Sequence, residues 1–394
     1  MHLSITKIIT SNDLKIFLVS FYIFLNFIDR HLSSIFLILS ILVCVLDYKN
    51  LIIELSKKKR LVLLVLLFSI YIISVGYYHD SSSRELDNYL RFLFLLPLIS
   101  ISVNSESVIK TLVFAAFLGF VHIVYTYLIG DFYIYTTNEY ARYPGTSSSP
   151  ISYANICSLA FMICVYFVSN KKTNYFYALF TAAVFFFILY LFTETRGPLI
   201  AILISFIFLM YHFRKKYLVY GFIAFIISMI VIPNPVLERF KHIEDISFLN
   251  YTEIKHRSLA ERIYYISFGY EVLKSSYIVG VGPQNIENQI SKNLETFKND
   301  NLKPSNHLHN EFLDMSVKFG IFSFILLIGL YMAIIKSCNK HNKAIVTLIV
   351  IMLFFSQQTQ SIFAHHQPIS FFITLIYIFL NSQFDKLSTK KNNL

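Results

Sequence analysis

The chain has no tryptophan, four cysteines and little charge: 14% of its 394 residues are Asp, Glu, Lys or Arg, against roughly a quarter in soluble domains. The cysteines, Cys44, Cys157, Cys164 and Cys338, are scattered with no CxxC or metal-ligand spacing. That distribution argues against a disulfide framework and against a cysteine metal centre. There is no internal repeat, no low-complexity tract and no Rossmann or P-loop glycine pattern, which removes the common nucleotide-binding motifs. No DxD-type acidic pair stands in the polar segments between the apolar runs.

What is abundant is apolar. Hydrophobic residues make up 56% of the sequence, and continuous runs of about 17 to 25 residues, the length that crosses a hydrocarbon core, recur along it. Runs that do not alternate exclude a barrel. The expected fold is therefore all-α, a polytopic transmembrane bundle of about twelve spans, near 14–29, 32–47, 61–77, 90–104, 108–130, 152–169, 174–193, 198–213, 217–233, 309–335, 344–361 and 367–382. Three parts follow: residues 1–233 with nine spans, a large loop 234–308, and 309–394 with three spans and a tail.

The formal charge of +11 would point to nucleic acid in a soluble chain. Here the basic residues cluster at 49–60 (with Lys57-Lys58-Lys59-Arg60), Lys171-Lys172, Arg214-Lys215-Lys216, 336–343 and the tail, and they read as orientation signals instead. With twelve spans all fall on one side, which the positive-inside rule makes cytoplasmic, with both termini there. Residues 1–15 carry no small-residue cleavage site before the first run, so that run is expected to stay as a span.

The opposite side collects 78–89, 131–150, 193–198, the large loop and 357–367, rich in Tyr, Ser, Thr, Asn and Gln with single arginines. A connection that long is expected to be folded. Asn234-Pro235 offers a cap and a first-turn proline for a short helix. Ser258 with Glu261 forms a capping box ahead of Leu259, Ile263, Ile266, Tyr270 and Leu273, an apolar stripe suited to the bundle or to the membrane surface. Ile286, Ile290 and Leu294 mark another helix after the break Gly280-Val281-Gly282-Pro283.

Within Thr193-Glu194-Thr195-Arg196-Gly197-Pro198, Pro198 suits the first helical position and Gly197 the cap. Arg196 would then stand at an open helix N-terminus, where it can grip a phosphate or reach lipid head groups. Arg142 in Arg142-Tyr143-Pro144-Gly145 is a second outer arginine turn. Arg257 and Arg262 start the loop helix, where a cation opposes the helix dipole and hints at an anion partner. In Ser305-Asn306-His307-Leu308-His309-Asn310 two histidines stand where the loop re-enters the membrane. His309, read as lying near a helix's first turn, would be kept neutral by the dipole, as a general base requires. A structural role and a metal-ligand pair are the alternatives, the latter weak without acidic or cysteine neighbours. His365-His366 adds a further polar pair on this side.

With these motifs the chain resembles the bacterial O-antigen ligases, within the superfamily of O-antigen ligases and polymerases. It shares many spans, a large loop before the last few, a Thr-x-x-Arg turn at Arg196, Arg262 followed by Gly280-Val281-Gly282, and a histidine motif closing the loop. The ligase pattern of His, then Asn, Ser or Gln, nine residues and Gly is matched by His309, Asn310 and Gly320. A further glycine three residues on is replaced by Ser323. The resemblance implies a GT-C-like inner-membrane glycosyltransferase working on the periplasmic face without metal or cofactor. It would transfer a glycan from undecaprenyl pyrophosphate to a sugar hydroxyl of lipid A-core with inversion. His309, or His307, would be the base, Arg196 would hold the diphosphate, and Arg142, Arg262, Arg257 and Asn310 would bind substrate. A polymerase, extending the lipid-linked glycan, uses the same donor. A transporter or flippase would call for interrupted spans in two related halves, which the sequence does not display.

Overall fold

The computed structural model describes residues 11–129, 143–147, 149–170, 175–193, 195–214, 216–231, 257–296 and 304–382. The α-helices run in the order α1 (Asn12–Leu25), α2 (Arg30–Leu46), α3 (Tyr48–Lys57), α4 (Lys59–Tyr78), α5 (Ser83–Leu86), α6 (Arg91–Phe94), α7 (Ser105–Leu128), α8 (Pro150–Asn170) and α9 (Phe176–Phe192). Then come α10 (Gly197–Phe213), α11 (Lys216–Val231), α12 (Arg257–Ser276), α13 (Ile286–Thr296), α14 (Glu311–Phe319), α15 (Ile321–Ser337), α16 (Lys343–Gln357) and α17 (His366–Asn381). Among the described residues there is no strand, as the continuous apolar runs require.

Among the described residues three helices, α4, α7 and α8, are long and apolar enough to cross a membrane alone, and α2 with α3, bent by 89° between them, would make a fourth. Other apolar helices, among them α9, α10, α15, α16 and α17, have 10–17 residues; at about 1.5 Å per residue the longest reaches about 25 Å, just under a hydrocarbon core of about 30 Å. Of the most apolar window of α8, 83% is buried, against 39% for α4 and for α7. α8 is thus a central helix, apolar on all sides because protein surrounds it, and α17, buried from Gln367 to Leu380, lies beside it. α4 and α7 keep one flank outward.

Three expectations from the sequence change. The basic connection 49–60 is largely helical: α3 turns away at Asp47, whose carboxylate pairs with the buried Lys15 at 2.6 Å. Lys58 does more than signal orientation, since its buried ammonium donates to Ser337 O at 2.9 Å and Leu380 O at 3.5 Å, capping the ends of α15 and α17 with charge of the sign their dipoles favour. The run 90–104 is not one span. It consists of α6 and a 3-10 turn, Leu96–Ser100, containing Pro97, which has no amide hydrogen to continue a helix.

The third change matters most for the site. The expected span 309–335 is split at Gly320, which has φ +84°. A Cβ there would meet Ile278 O at 1.8 Å, so only glycine fits. Val281 N and Gly282 N donate to Val317 O and Lys318 O at 2.9 and 3.0 Å, and Ile321 N donates to Tyr277 O at 2.9 Å. The Gly280-Val281-Gly282 segment therefore satisfies carbonyls that the end of α14 leaves open. Ser323, where the family pattern has glycine, donates to Gly320 O at 2.7 Å and Met315 O at 3.0 Å across the same break.

The expected short helix at Asn234-Pro235 lies outside the described residues. α12 and α13 stand where the large loop was expected to be helical, joined by Tyr264 OH donating to Asn293 Oδ1 at 2.8 Å. They share a small core with α14 in which Ile286, Ile290 and Leu294 pack against Tyr264, Tyr265, Phe268, Leu308 and Val317. The stripe read from the sequence of α12 is divided here: Ile266 and Tyr270 are exposed, Leu273 packs against this core, and the residues buried in it are Tyr264, Tyr265 and Phe268.

Candidate functional site

α14 begins at Glu311, with Asn310 as its N-cap: Asn310 Oδ1 accepts from Leu313 N at 3.0 Å, and Nδ2 donates to Gln358 O at 3.1 Å. His309 thus precedes the helix rather than lying in its first turn. Its backbone is left-handed, φ +56°, a conformation costing a non-glycine residue about 1–3 kcal/mol where the surroundings impose it.

The surroundings are a set of buried charges. Asp314 Oδ1 accepts from the backbone N–H of Leu308, between the two histidines, at 2.9 Å. Its Oδ2 takes Lys318 Nζ at 2.7 Å, and that ammonium also donates to Tyr89 OH at 3.2 Å. Glu311, likewise buried, accepts from Phe363 N at 2.7 Å, and Tyr89 stacks on Phe363 at 5.3 Å. One short helix therefore ties down the histidine loop, the segment carrying His365, and the connection after α4. Burial and the neighbouring Asp314 charge push Glu311 well above the usual carboxyl range. Asp314 is also raised by burial, with Lys318 opposing.

Above this base the rings converge. His307 and His309 lie edge to face, 4.5 Å between centroids; His365 is 6.0 Å from His307, and Tyr265 of α12 is 5.6 Å from His309. His307 Nδ1 bonds Asn306 Oδ1 at 2.7 Å, which fixes its proton on Nδ1 and leaves Nε2 as the lone-pair nitrogen. His365 Nε2 faces the Gln360 amide at 3.3 Å. His309 Nδ1 is buried with no hydrogen-bond partner. Burial, reinforced by the positive charge of Arg262 and opposed by Gln360, brings His309 down to about 4. Burial also brings His365 down to about 4, and it lowers His307 with help from His309 and Lys318. All three rings are neutral at physiological pH. The neutrality anticipated for His309 is present, but burial and Arg262 cause it, not a helix dipole.

The arginine turn reaches the same place. Arg196 is the N-cap residue of α10, one position earlier than the sequence suggests, with Gly197 and Pro198 following inside the helix and no side chain capping its first amides. Tyr190 OH donates to Thr195 O at 2.8 Å, stiffening the turn. Gly197 lies against Thr359, where a Cβ would meet Oγ1 at 2.8 Å. Thr359 stands between Gln358, the partner of Asn310, and Gln360, the neighbour of His365. Tyr143 N donates to Phe192 O at 3.2 Å, so the residue after Arg142 docks beside the Thr193 end of this turn. Arg142 itself lies outside the described residues. Arg257 is the first residue of α12, and its side chain is not among those described.

The structure thus brings His307, His309, Arg262 and the Arg196 turn into one region together with His365. Sequence reasoning missed Gln360, Tyr265, Asp314 and Lys318. The signal available for the last two was a pair of opposite charges four residues apart inside an expected membrane span, where ionisable groups are costly and usually functional. Among the described residues no group of three or more His, Cys, Asp or Glu is arranged to hold a metal ion.

Residues 181–328 match the family described as O-antigen ligase. That stretch contains the arginine turn, α12, the glycine segment, the histidine motif and Gly320. The match supports membership of the O-antigen ligase superfamily. No curated protein matches the chain.

Proposed function

We propose that this member of the O-antigen ligase superfamily is a membrane glycosyltransferase, and specifically a ligase. It would transfer a glycan from an undecaprenyl pyrophosphate donor to a sugar hydroxyl of lipid A-core, on the periplasmic face of the inner membrane. The observation that carries the reading is the convergence of neutral His309 with Arg262 and the Arg196 turn, from three distant parts of the chain.

In this reading an imidazole nitrogen of His309 takes the proton of the acceptor hydroxyl. The hydroxyl oxygen bonds to the anomeric carbon while the bond from that carbon to the pyrophosphate oxygen breaks on the opposite face, inverting the centre. The electron pair leaves on the pyrophosphate. Arg196 and Arg262, with Arg142 and Arg257 as further candidates, stabilise the charge developing there. His307 orients the acceptor, and Asn310 acts by holding the histidine loop. Pyrophosphate is already a good leaving group, so cationic side chains suffice and no metal or cofactor takes part.

The test is to supply purified protein in vesicles with a lipid-linked glycan and with lipid A-core, and to follow both lipids by gel. The ligase reading expects glycan on the core, lost in His309→Ala. Longer glycans on the donor lipid with an untouched core would make the protein a polymerase, with the same residues in the same chemistry.

A further inference from the structure

α12 presents two apolar faces. One, through Tyr264, Tyr265 and Phe268, packs on the protein. The other carries Ile266 and Tyr270, two residues of the stripe visible in the sequence, and runs on to Tyr277 just past the helix; these three are 53%, 60% and 58% exposed, while Leu273 of the stripe packs against the inner core. The stripe continues into the turn after the helix, where Ile278 is 50% and Val279 36% exposed. Contiguous exposed apolar surface of this kind requires a cover.

Its depth says what the cover is. Tyr71 OH donates to Ile278 O at 3.1 Å and to Phe319 O at 2.7 Å, and the His79 ring meets Val279 O at 3.2 Å. α4 is a 20-residue helix able to span a bilayer unaided, and Tyr71 lies seven residues before its end at Tyr78, about 10 Å along the axis. The turn is therefore held along the last part of a membrane-crossing helix, from the reach of Tyr71 to His79 just past its end, beside the outward apolar flank of α4 that includes Ile70 and Ile73. Tyr77 and Tyr78 at the end of α4 are exposed as well, the residue type that lines membrane–water interfaces.

We infer that the Ile266–Tyr270–Tyr277 stripe and the Ile278-Val279 turn are a lipid-docking surface, immersed in the leaflet on the histidine side, so that α12 lies in the interface as a monotopic element. On its other flank the same helix presents Tyr265 to His309, and this immersion fixes the site at head-group height. The polar positions between the two faces, Glu271 and Lys274, are exposed and paired at 2.8 Å, with Lys274 Nζ 4.5 Å from the Tyr270 ring centroid at the edge of the stripe; on this reading they stand on the water side. The inference stands on packing and depth and does not depend on which transfer the site performs.

The test uses the full chain in phosphatidylethanolamine–phosphatidylglycerol vesicles, with Cys338, the one native cysteine not fully buried, replaced by serine. Spin labels are placed singly at Ile266→Cys, Tyr270→Cys, Ile278→Cys, Glu271→Cys and Lys274→Cys, and their collisions with oxygen and with a water-soluble nickel chelate are compared. The expected result is high oxygen and low nickel accessibility at 266, 270 and 278, reversed at 271 and 274. The three exposed apolar positions report independently, so a misfolded variant at one leaves two readings. High nickel accessibility at 266, 270 and 278 would overturn the proposal, as would low accessibility to both reagents, which would place a second copy or another protein on the stripe.

Discussion

The two ends of the bundle both bury charged and polar side chains, but they use them differently. At the end away from the histidines, Lys15 closes on Asp47, Lys58 closes the C-termini of α15 and α17, and Asn342 Nδ2 donates to Phe379 O and Ser382 O at 2.9 and 2.5 Å. At the histidine end, His309 Nδ1, Glu311 Oε1, Gln360 Oε1 and Ser361 Oγ are buried without a hydrogen-bond partner, although Asp314 and Lys318 beneath them are paired. Unsatisfied buried polar atoms are costly. Asn342 Oδ1 at the far end is open too, so the difference is one of setting: there the cations close on carboxylates and carbonyls, as in a scaffold, whereas at the histidine end the open atoms surround neutral imidazoles, as suits a ligand site.

Substitutions at the two ends sharpen this contrast. The largest effect is expected for His309→Ala, which should lower transfer by about 10²- to 10⁴-fold, the range for loss of a positioned general base, with membrane insertion unchanged. Lys58→Ala should leave kcat within a few-fold of wild type. A transfer assay on both variants checks the pair.

Next is Asp314→Ala, which strands Lys318 in the interior and frees the Leu308 N–H. Removing one partner of a buried ion pair costs about 3–5 kcal/mol, so thermal unfolding in detergent should show a large fall. Asp314→Asn, which retains an acceptor for Leu308 N–H, should recover part of it. Gly320→Ala tests the seam between α14 and the glycine segment. It forces a Cβ onto Ile278 O at a positive φ, and both folding yield and transfer should fall together. The smallest effect is expected for Ser323→Gly, which introduces the glycine of the ligase pattern and removes the hydrogen bonds to Met315 O and Gly320 O, a loss of about 1 kcal/mol with kcat unchanged.

Much of this was legible in the sequence, for identifiable reasons. Continuous apolar runs gave an all-helical membrane chain, and Ile286, Ile290 and Leu294 spaced by four gave α13 and its buried face. Histidine and arginine motifs pointed to residues that the fold gathers in one region. What was not legible depends on contacts between distant segments. Nothing local to Gly320 shows that Ile278 O will lie against it and split a span, and nothing near His365 shows that it will reach His307. The stripe on α12 was read correctly as apolar, but which of two apolar faces meets protein is decided by where Tyr264, Tyr265 and Phe268 land.

The central claim is that the histidine end holds a base kept neutral by burial and by Arg262. His309 favours its neutral form in the folded chain, so its contribution to stability is full above its ordinary value of 6.5 and is lost as pH falls through about 4. That stability is lost progressively between 6.5 and about 4, whereas the rate, which needs the neutral base in the folded chain, falls only through the lower value. The direct measurement is kcat for glycan transfer against pH from about 3.5 to 8, restricted to the range in which activity recovers on return to neutral pH. The account predicts a plateau from pH 8 down to about 5, with the rate falling only as His309 protonates near 4. A midpoint near 6.5, the ordinary value for a solvated imidazole, would contradict it.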